Sequence, residues 1–335
     1  MIMNQPIVQS PTIPAPSISP IHRLRVAVLE SWALWVALDV DLFEHLVTPT
    51  DVTTLAAKLR FDQSALQPLM QALCVTGYLD RIGSGDFVLN PSMAPFVLRN
   101  SPSYVAASFG FLRTGRWFEQ YPQLLRSGGG LQLPNEVWDH VVRGSSAYTV
   151  PAVAAMFEAI PKLGTESLRV LDVGCGRGDY AVALSTRNPK LEVLAIDPTP
   201  RVIEIAAERL AGSPGVQVRC CAVEDVEGRY DIILLNHIIH VVGRRQSREI
   251  LRACAERLAP NGVIVVQELL ETNSNSGALF GLMMRLLFPE GEVLTPREFD
   301  EHLADVGLVH DPIMIGPGGS GLIVTKASVK KGSQS

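Results

Sequence analysis

The sequence predicts an α/β protein, a doubly wound, mostly parallel sheet over residues 166–327 preceded by a smaller helical domain over 21–100. Three observations carry that prediction. From Leu168 onward, short apolar runs rich in Val, Ile and Leu alternate with helical patterns, the order that builds a parallel sheet covered on both faces. The first of these runs, Val170-Leu-Asp-Val173, ends abruptly in Gly174, Gly176 and Gly178, spaced two apart. The second, Leu191-Glu-Val-Leu-Ala-Ile-Asp197, ends in an acid. In such a sheet, ligands bind at the carboxyl ends of the strands.

Taken in order, the first 20 residues hold five prolines and no Lys or Arg, which predicts a disordered arm rather than the charged start of a signal peptide. Between Ile21 and Val47, Leu24, Val28, Leu29, Trp32, Trp35, Val36, Leu42 and Leu46 recur at helical spacing, interrupted near Asp39-Val-Asp41. Asp51–Leu59 reads as a helix opened by a hydroxyl cap, and Asp62 begins a second helix after a short turn. Gly77–Ile82 and Asp86–Leu89, joined through Gly83-Ser-Gly85, form a hairpin. Together these elements make a winged helix. A DNA-reading helix needs cations, and Asp62–Gly77 contains no Lys or Arg, so the winged helix is expected to dimerise rather than bind nucleic acid. Residues 101–165 read as a helical connector that contributes to a substrate pocket. Strands are expected at 169–173, 192–196, 216–221, 230–235 and 262–268, helices near 179, 199, 245–258 and 296–306, and a hairpin around 309–326. A short tail, 328–335, follows.

Composition bounds the function. With 335 residues, 47% hydrophobic and 19% charged, the chain can build two cores. A net charge of −5 offers no field for nucleic acid or an anionic membrane. Cys74, Cys175, Cys220, Cys221 and Cys254 are scattered and odd in number, as expected of reduced thiols in a cytoplasmic protein. No uncharged apolar stretch reaches the ~18 residues of a membrane span.

The glycine run is the motif with chemical content. A strand that delivers glycines into a tight bend lets backbone N–H groups approach a ligand at the start of the next helix. The acid Asp197 at the end of the next strand suits the two hydroxyls of a ribose, so the pair predicts a nucleoside site. A dinucleotide turn would follow G-x-G-x-x-G, and its last glycine position is here Asp179. The string from Val170 to Gly178 with Asp172 in the strand, followed by Asp197, resembles the S-adenosylmethionine (SAM) turn of class I methyltransferases.

The resemblance extends over roughly residues 21 to 326, to the two-domain small-molecule O-methyltransferases related to caffeic acid and bacterial polyketide O-methyltransferases. Beyond the turn it is carried by Tyr230–His240 and by Thr295–Gly307. It implies a Rossmann-like doubly wound class I methyltransferase sheet with an N-terminal α-helical winged-helix dimerisation domain, and a homodimer. It implies SAM as cofactor and S-adenosylhomocysteine (SAH) as product. Asp172, Gly174 and Gly176 then form the cofactor turn, and Asp197 with Pro198 the ribose contact. The backbone N–H of Val223 and a carboxylate from Glu224 or Asp225 are expected to serve in place of the acid that the family carries at Ala222 for adenine, Asn236 at the end of the fourth strand is a further expected cofactor contact, and His240 stands where the family has its general base.

The chain also departs from the family around that histidine. Val241-Val242 replaces the usual Asp-Trp. In Gly291-Glu-Val-Leu-Thr295, Val293 stands where the family's Gly-x-Glu-Arg-Thr segment has an orienting glutamate, and Glu292 could substitute only if the loop shifted by one residue. Leu322–Lys326 lacks the acid usual in the last strand. His240 is therefore expected without an orienting carboxylate, which makes it a weaker base, and a structural role as a strand-end cap stays open. His237 and His240, three apart, could meet Glu268 or Glu271 in a metal site, but no further ligand falls at suitable spacing and none is expected.

The apolar segment Leu279–Phe288 lies where the family's substrate-lining helix sits. Met283, Met284 and Phe288, with Trp117, Met156, Phe157 and His237, are expected to line an adaptable pocket for a bulky aromatic or polyketide-like acceptor. Three chemistries remain open at this point: methylation at oxygen, methylation at a ring carbon, and a SAM-binding cyclase or ligand sensor that does not methylate.

Overall fold

The structure, a computed structural model, describes residues 19–83, 85–101, 104, 119, 121–128, 149–271, 275–311, 314–315 and 322–329. The first 18 residues, Trp117 and the last six residues lie outside the described residues. The chain divides into two compact units, Met1–Arg99 and Asn100–Ser335.

In the first unit, α1 (Ser19–Asp39) ends where expected, because Asp41 takes a left-handed conformation (φ 53°) that starts a 3₁₀ turn over Leu42–His45. A two-residue strand β1 (Thr50–Asp51) leads into α2 (Val52–Leu59), and α3 (Gln63–Val75) follows. Both helices are capped by carboxylates. Asp51 accepts from the Thr54 N–H at 3.0 Å and Asp62 from the Ala65 N–H at 2.9 Å. The expected hydroxyl cap on α2 is thus corrected: Thr54 lies inside the helix, and its hydroxyl donates to Asp51. Strands β2 (Leu79–Ile82) and β3 (Asp86–Leu89) form the hairpin, and β1 adds to β3, giving the order β1-β3-β2. A strand as short as β1 has no alternation to reveal it in the sequence. Phe43, Leu55, Met70, Leu73, Leu79 and Phe87 are fully buried, and α4 (Ala94–Val97) closes the unit.

Among the described residues, the first helices of the second unit are α5 (Tyr121–Ser127) and α6 (Thr149–Ala159). Then follow β4 (Arg169–Val173), α7 (Asp179–Arg187), β5 (Glu192–Asp197), α8 (Pro200–Leu210), β6 (Val216–Cys220) and β7 (Tyr230–Asn236). After these come α9 (Ile239–Glu256), β8 (Leu258–Leu269), α10 (Asn275–Leu287) and α11 (Pro296–Ala304). Strands β9 (Leu308–His310), β10 (Met314–Ile315) and β11 (Leu322–Val329) end the described chain. The sheet order is β10-β11-β8-β7-β4-β5-β6, with β9 also on β11. Strands β6, β5, β4, β7 and β8 are parallel, and β11 runs antiparallel to β8.

The central parallel strands β5, β4, β7 and β8 are buried on both faces over most of their length, which explains their continuous apolar runs. Leu171, Val173, Ile233, Leu235, Ile264 and Val266 face one core with Leu251, Cys254 and Phe299. Val170, Ala195, Ile232, Leu234 and Val265 face the other with Met156, Tyr180, Ala181 and Leu184. This alternation decides on which side of the sheet each polar residue at a strand end emerges.

One helix starts earlier than its pattern predicted. The helix expected at 245–258 begins at Ile239, with Gly243 non-helical inside it (φ 74°, ψ 172°). A Cβ at Gly243 would meet the Glu290 Cβ and carbonyl oxygen at 2.8 Å. The turn before Gly243 is therefore a separate short piece, and it carries His240.

Candidate active site

The glycine turn joins β4 to α7 at the carboxyl edge of the sheet. Cys175 N–H donates to the Ile196 carbonyl at 2.9 Å, Gly176 N–H donates to the Asp197 carboxylate, and Gly178 caps α7 in a left-handed conformation. Two of its glycines have different jobs. At Gly174 (φ +68°) a Cβ would stand 2.2 Å from the Ile238 Cδ1, so this glycine lets the turn pack under the chain leaving β7. At Gly176 (φ +55°) a Cβ would meet nothing within 4 Å, so the turn faces open space where a ligand backbone or sugar can approach.

Asp197 ends β5 beside this turn. Its Oδ1 accepts from the Thr199 N–H at 2.9 Å, and Cys221 N–H donates to its main-chain carbonyl at 3.2 Å. The latter bond brings the 3₁₀ turn Val223–Asp225 alongside, with Val223 buried and Glu224 exposed. Pro198 is exposed next to Asp197. Asn236, 6% exposed at the end of β7, has neither side-chain polar atom paired, and Asp172 Oδ2 is likewise buried without a partner. Buried polar atoms are paired in the great majority of cases. These orphans, with the open face at Gly176, fit a cofactor that brings its own donors and acceptors.

His240 lies on the next turn of chain, and here the structure corrects the sequence reading. Its Nδ1 is 2.5 Å from Glu268 Oε2, and Glu268 Oε1 accepts the Ile239 N–H at 2.9 Å. Glu268 is the last residue but one of β8, whose register sets Asn236 beside Gln267, so the next residue reaches the turn that follows β7. The histidine thus has an orienting carboxylate. A carboxylate only accepts, so Nδ1 carries the proton and the lone pair is on Nε2, the arrangement of a positioned general base. Glu292 is not the partner: it pairs with Arg244 at 2.6 Å, and its N–H donates to the His240 carbonyl at 3.1 Å. Val293 packs in the apolar cluster of α10. The sequence signal for Glu268 was an acid soon after the apolar run Val263–Val266, which had been weighed only as a metal ligand. Among the described residues no three His, Cys, Asp or Glu side chains form a metal-holding group.

Residues 171–264 match the family model described as a methyltransferase domain. The chain carries a methyltransferase domain. SAM is the cofactor that such domains use. The chain is 25% identical over 312 residues to the tetracenomycin polyketide synthesis 8-O-methyl transferase TcmO of Streptomyces glaucescens, covering 86% of this chain and 90% of that one. It is 29% identical over 165 residues to the 3-hydroxy-5-methyl-1-naphthoate 3-O-methyltransferase of Streptomyces sahachiroi, spanning about half of each chain at 46% and 48%. In fold it resembles human N-acetylserotonin methyltransferase, solved in complex with SAM, with a TM-score of 0.78 and 16% identity over 96% of this chain and all of that one.

In the second unit, α10 does reach the histidine. The Phe280 ring stands edge-on to His240 with centroids 5.0 Å apart. Met284 and Phe288 are buried at the centre of this cluster, and Met283 and Val241 pack on it partly exposed. His237, in a left-handed conformation (φ 58°), turns its ring to within 5.7 Å of His240. Burial foremost, and the His240 ring next, hold His237 down at about 4, so it is neutral near pH 7.

Met156 and Phe157 do not join them, which corrects their placement in the pocket. Met156 is fully buried in the core on the other face of the sheet. The Phe157 ring is covered by the Arg187 guanidinium at 4.3 Å. Arg187 ends α7 while the glycine turn begins it, so the nine residues of that helix separate them by roughly 13 Å. Helical periodicity marked both residues as apolar without saying which face they would meet.

Asp172 gives a pH prediction. Burial first, and the Asp197 and Asp179 carboxylates second, push its carboxyl up to about 7. Its unfolded value is about 3.9. A raised acid contributes stability that is complete below the unfolded value and is lost as pH rises through the folded one. Without cofactor, the melting temperature of Asp172→Asn relative to wild type is therefore expected to be higher at pH 8 than at pH 5. An offset equal at both pH values would contradict the assignment.

Proposed function

We propose that this methyltransferase transfers the methyl group of SAM to a hydroxyl oxygen of a bulky, apolar, aromatic or polyketide-like small molecule. The observation that carries the reading is the buried His240–Glu268 pair beside the glycine turn, a built proton acceptor at the edge where ligands bind. When bound, SAM supplies an electrophilic methyl on a positively charged sulfur. Asp197 would hold the ribose, with Pro198, Val223 and Glu224 around the nucleoside, and Gly176 admits its approach.

The protein's own residues do the rest. His240 Nε2 accepts the proton of the acceptor hydroxyl, and the Glu268 carboxylate balances the imidazolium that results. Phe280 and Met283 present an apolar surface beside His240, which excludes water and suits a flat aromatic acceptor. The named activities of the two Streptomyces relatives, on a polyketide and on a hydroxynaphthoate, support that substrate class. A pair poised to take a hydroxyl proton favours oxygen over a ring carbon. The test is incubation with methyl-¹³C SAM and a panel of hydroxynaphthoates and polyketide phenols. An O-¹³CH₃ product formed with equal SAH is expected, whereas label on a ring carbon would overturn the O-methyl assignment.

The α2–α3 pair with the three-stranded sheet is read as a winged helix, and the enzyme as a cytoplasmic homodimer. Along α1, Leu24, Val28, Trp32 and Val36 repeat every four residues and are 41–65% exposed, an apolar stripe that supports self-association through this unit. Among the described residues no helix is long and apolar enough to cross a membrane.

A further inference from the structure

On the α6–α7 face of the sheet, the last turn of each central strand changes from aliphatic to polar. Val170 is followed two residues on by Asp172, Leu234 by Asn236, and Val265 by Gln267, on the adjacent strands β4, β7 and β8. The parallel register sets Asn236 directly beside Gln267, and side chains two apart in a strand share a face. Tyr180, from the first turn of α7, closes the group: its hydroxyl donates to Gln267 Oε1 at 2.5 Å. Burial keeps this phenol protonated. That bond turns the Gln267 amide nitrogen away from Tyr180, where it has no partner. All four residues are at most 6% exposed. The unpartnered atoms are Asp172 Oδ2 and Asn236 Oδ1, which accept, and Asn236 Nδ2 and Gln267 Nε2, which donate.

Acceptors and donors left unpaired side by side in a dry site call for a ligand group that carries both a cation and an anion. We infer that Tyr180 and Gln267 complete a recognition site for the amino-acid end of the cofactor, with the Gln267 amide N–H donating to its carboxylate and Asp172 accepting from its ammonium. The inference rests on the proposed use of SAM. The nucleoside end is read elsewhere, at Asp197 on β5, three strand spacings or roughly 14 Å from β8. Asn236 lies between Asp172 and Gln267 and can serve either charge. The Tyr180–Gln267 bond is the device that aims the amide, so Tyr180 is a positioning residue.

The experiment is calorimetric titration of two ligands, SAH and 5′-methylthioadenosine, which keeps the nucleoside and thioether but lacks the amino-acid end. In Gln267→Met, which keeps volume and loses the amide, SAH is expected to bind about 10-fold or more weakly, a change of about 1.4 kcal/mol. Binding of 5′-methylthioadenosine should stay within about twofold. Tyr180→Phe should show the same selective pattern with a smaller loss, and it keeps the test usable if Gln267→Met folds poorly. Equal weakening of both ligands would mark a general packing defect and overturn the inference, as would unchanged SAH binding in both variants. Failure of folded wild type to bind either ligand would instead overturn the cofactor reading on which the inference rests.

Discussion

His240→Ala is expected to lower kcat by about 10²- to 10⁴-fold, the range for removing a positioned general base, while SAH affinity stays within about twofold. The selectivity follows from position. His240 stands on the turn after β7 with Nδ1 fixed by Glu268 at 2.5 Å, and neither residue is among those expected to hold the cofactor. Glu268→Gln should reach a loss of the order of 10²-fold by another route. The glutamate accepts two N–H bonds, from Ile239 and His240, whereas an amide oxygen beside an N–H₂ cannot accept both in the same geometry. With the N–H₂ toward Nδ1, the proton moves to Nε2 and the base is lost. Steady-state kinetics with a working acceptor, compared with SAH calorimetry, separates these outcomes. A kcat loss below threefold in both variants would show that proximity alone drives the transfer.

Gly174→Ala and Gly176→Ala are expected to fail differently, although both glycines have positive φ. At Gly174 the new Cβ would stand 2.2 Å from Ile238 Cδ1. Overpacking of about 1–3 kcal/mol then adds to a left-handed strain of about 1–2 kcal/mol. At about 2–4 °C per kcal/mol for a domain of this size, the melting temperature should fall by roughly 5 °C or more. Ile238 lies two residues before His240, so activity should suffer as well. At Gly176 nothing lies within 4 Å of the new Cβ, which leaves only the strain of about 1–2 kcal/mol. There the methyl group projects into space that the cofactor would fill, so SAH affinity should fall more than stability does. Thermal melts and calorimetry on both variants check the contrast, and equal behaviour would contradict the separate roles assigned to the two glycines.

The strand pattern, the glycine turn and Asp197 were legible in the sequence because each is local: a run of β-branched residues, a spacing, an acid at a strand end. His240 was legible for the same reason. Its partner was not, because the contact between His240 and Glu268 depends on the parallel pairing of β7 with β8, which no window along the chain contains. The sequence reading instead looked for the carboxylate at Val293 and Glu292, where the family pattern put it. The early start of α9 was hidden by Gly243, whose non-helical backbone packs closely against Glu290 from a distant loop. Phe157 and Met156 show the converse limit. Their apolar character was plain, but only the fold reveals that they face the core opposite α10.

SAH binding to wild type and to Asp197→Ala tests the central claim most directly, since it needs no knowledge of the acceptor. The account predicts a 1:1 complex with wild type, weakened about 100-fold or more by the substitution, as befits loss of charge-assisted hydrogen bonds worth about 1.5–3 kcal/mol each. Folded wild-type protein that binds no SAH, or an Asp197→Ala variant that binds it as tightly as wild type, would contradict it.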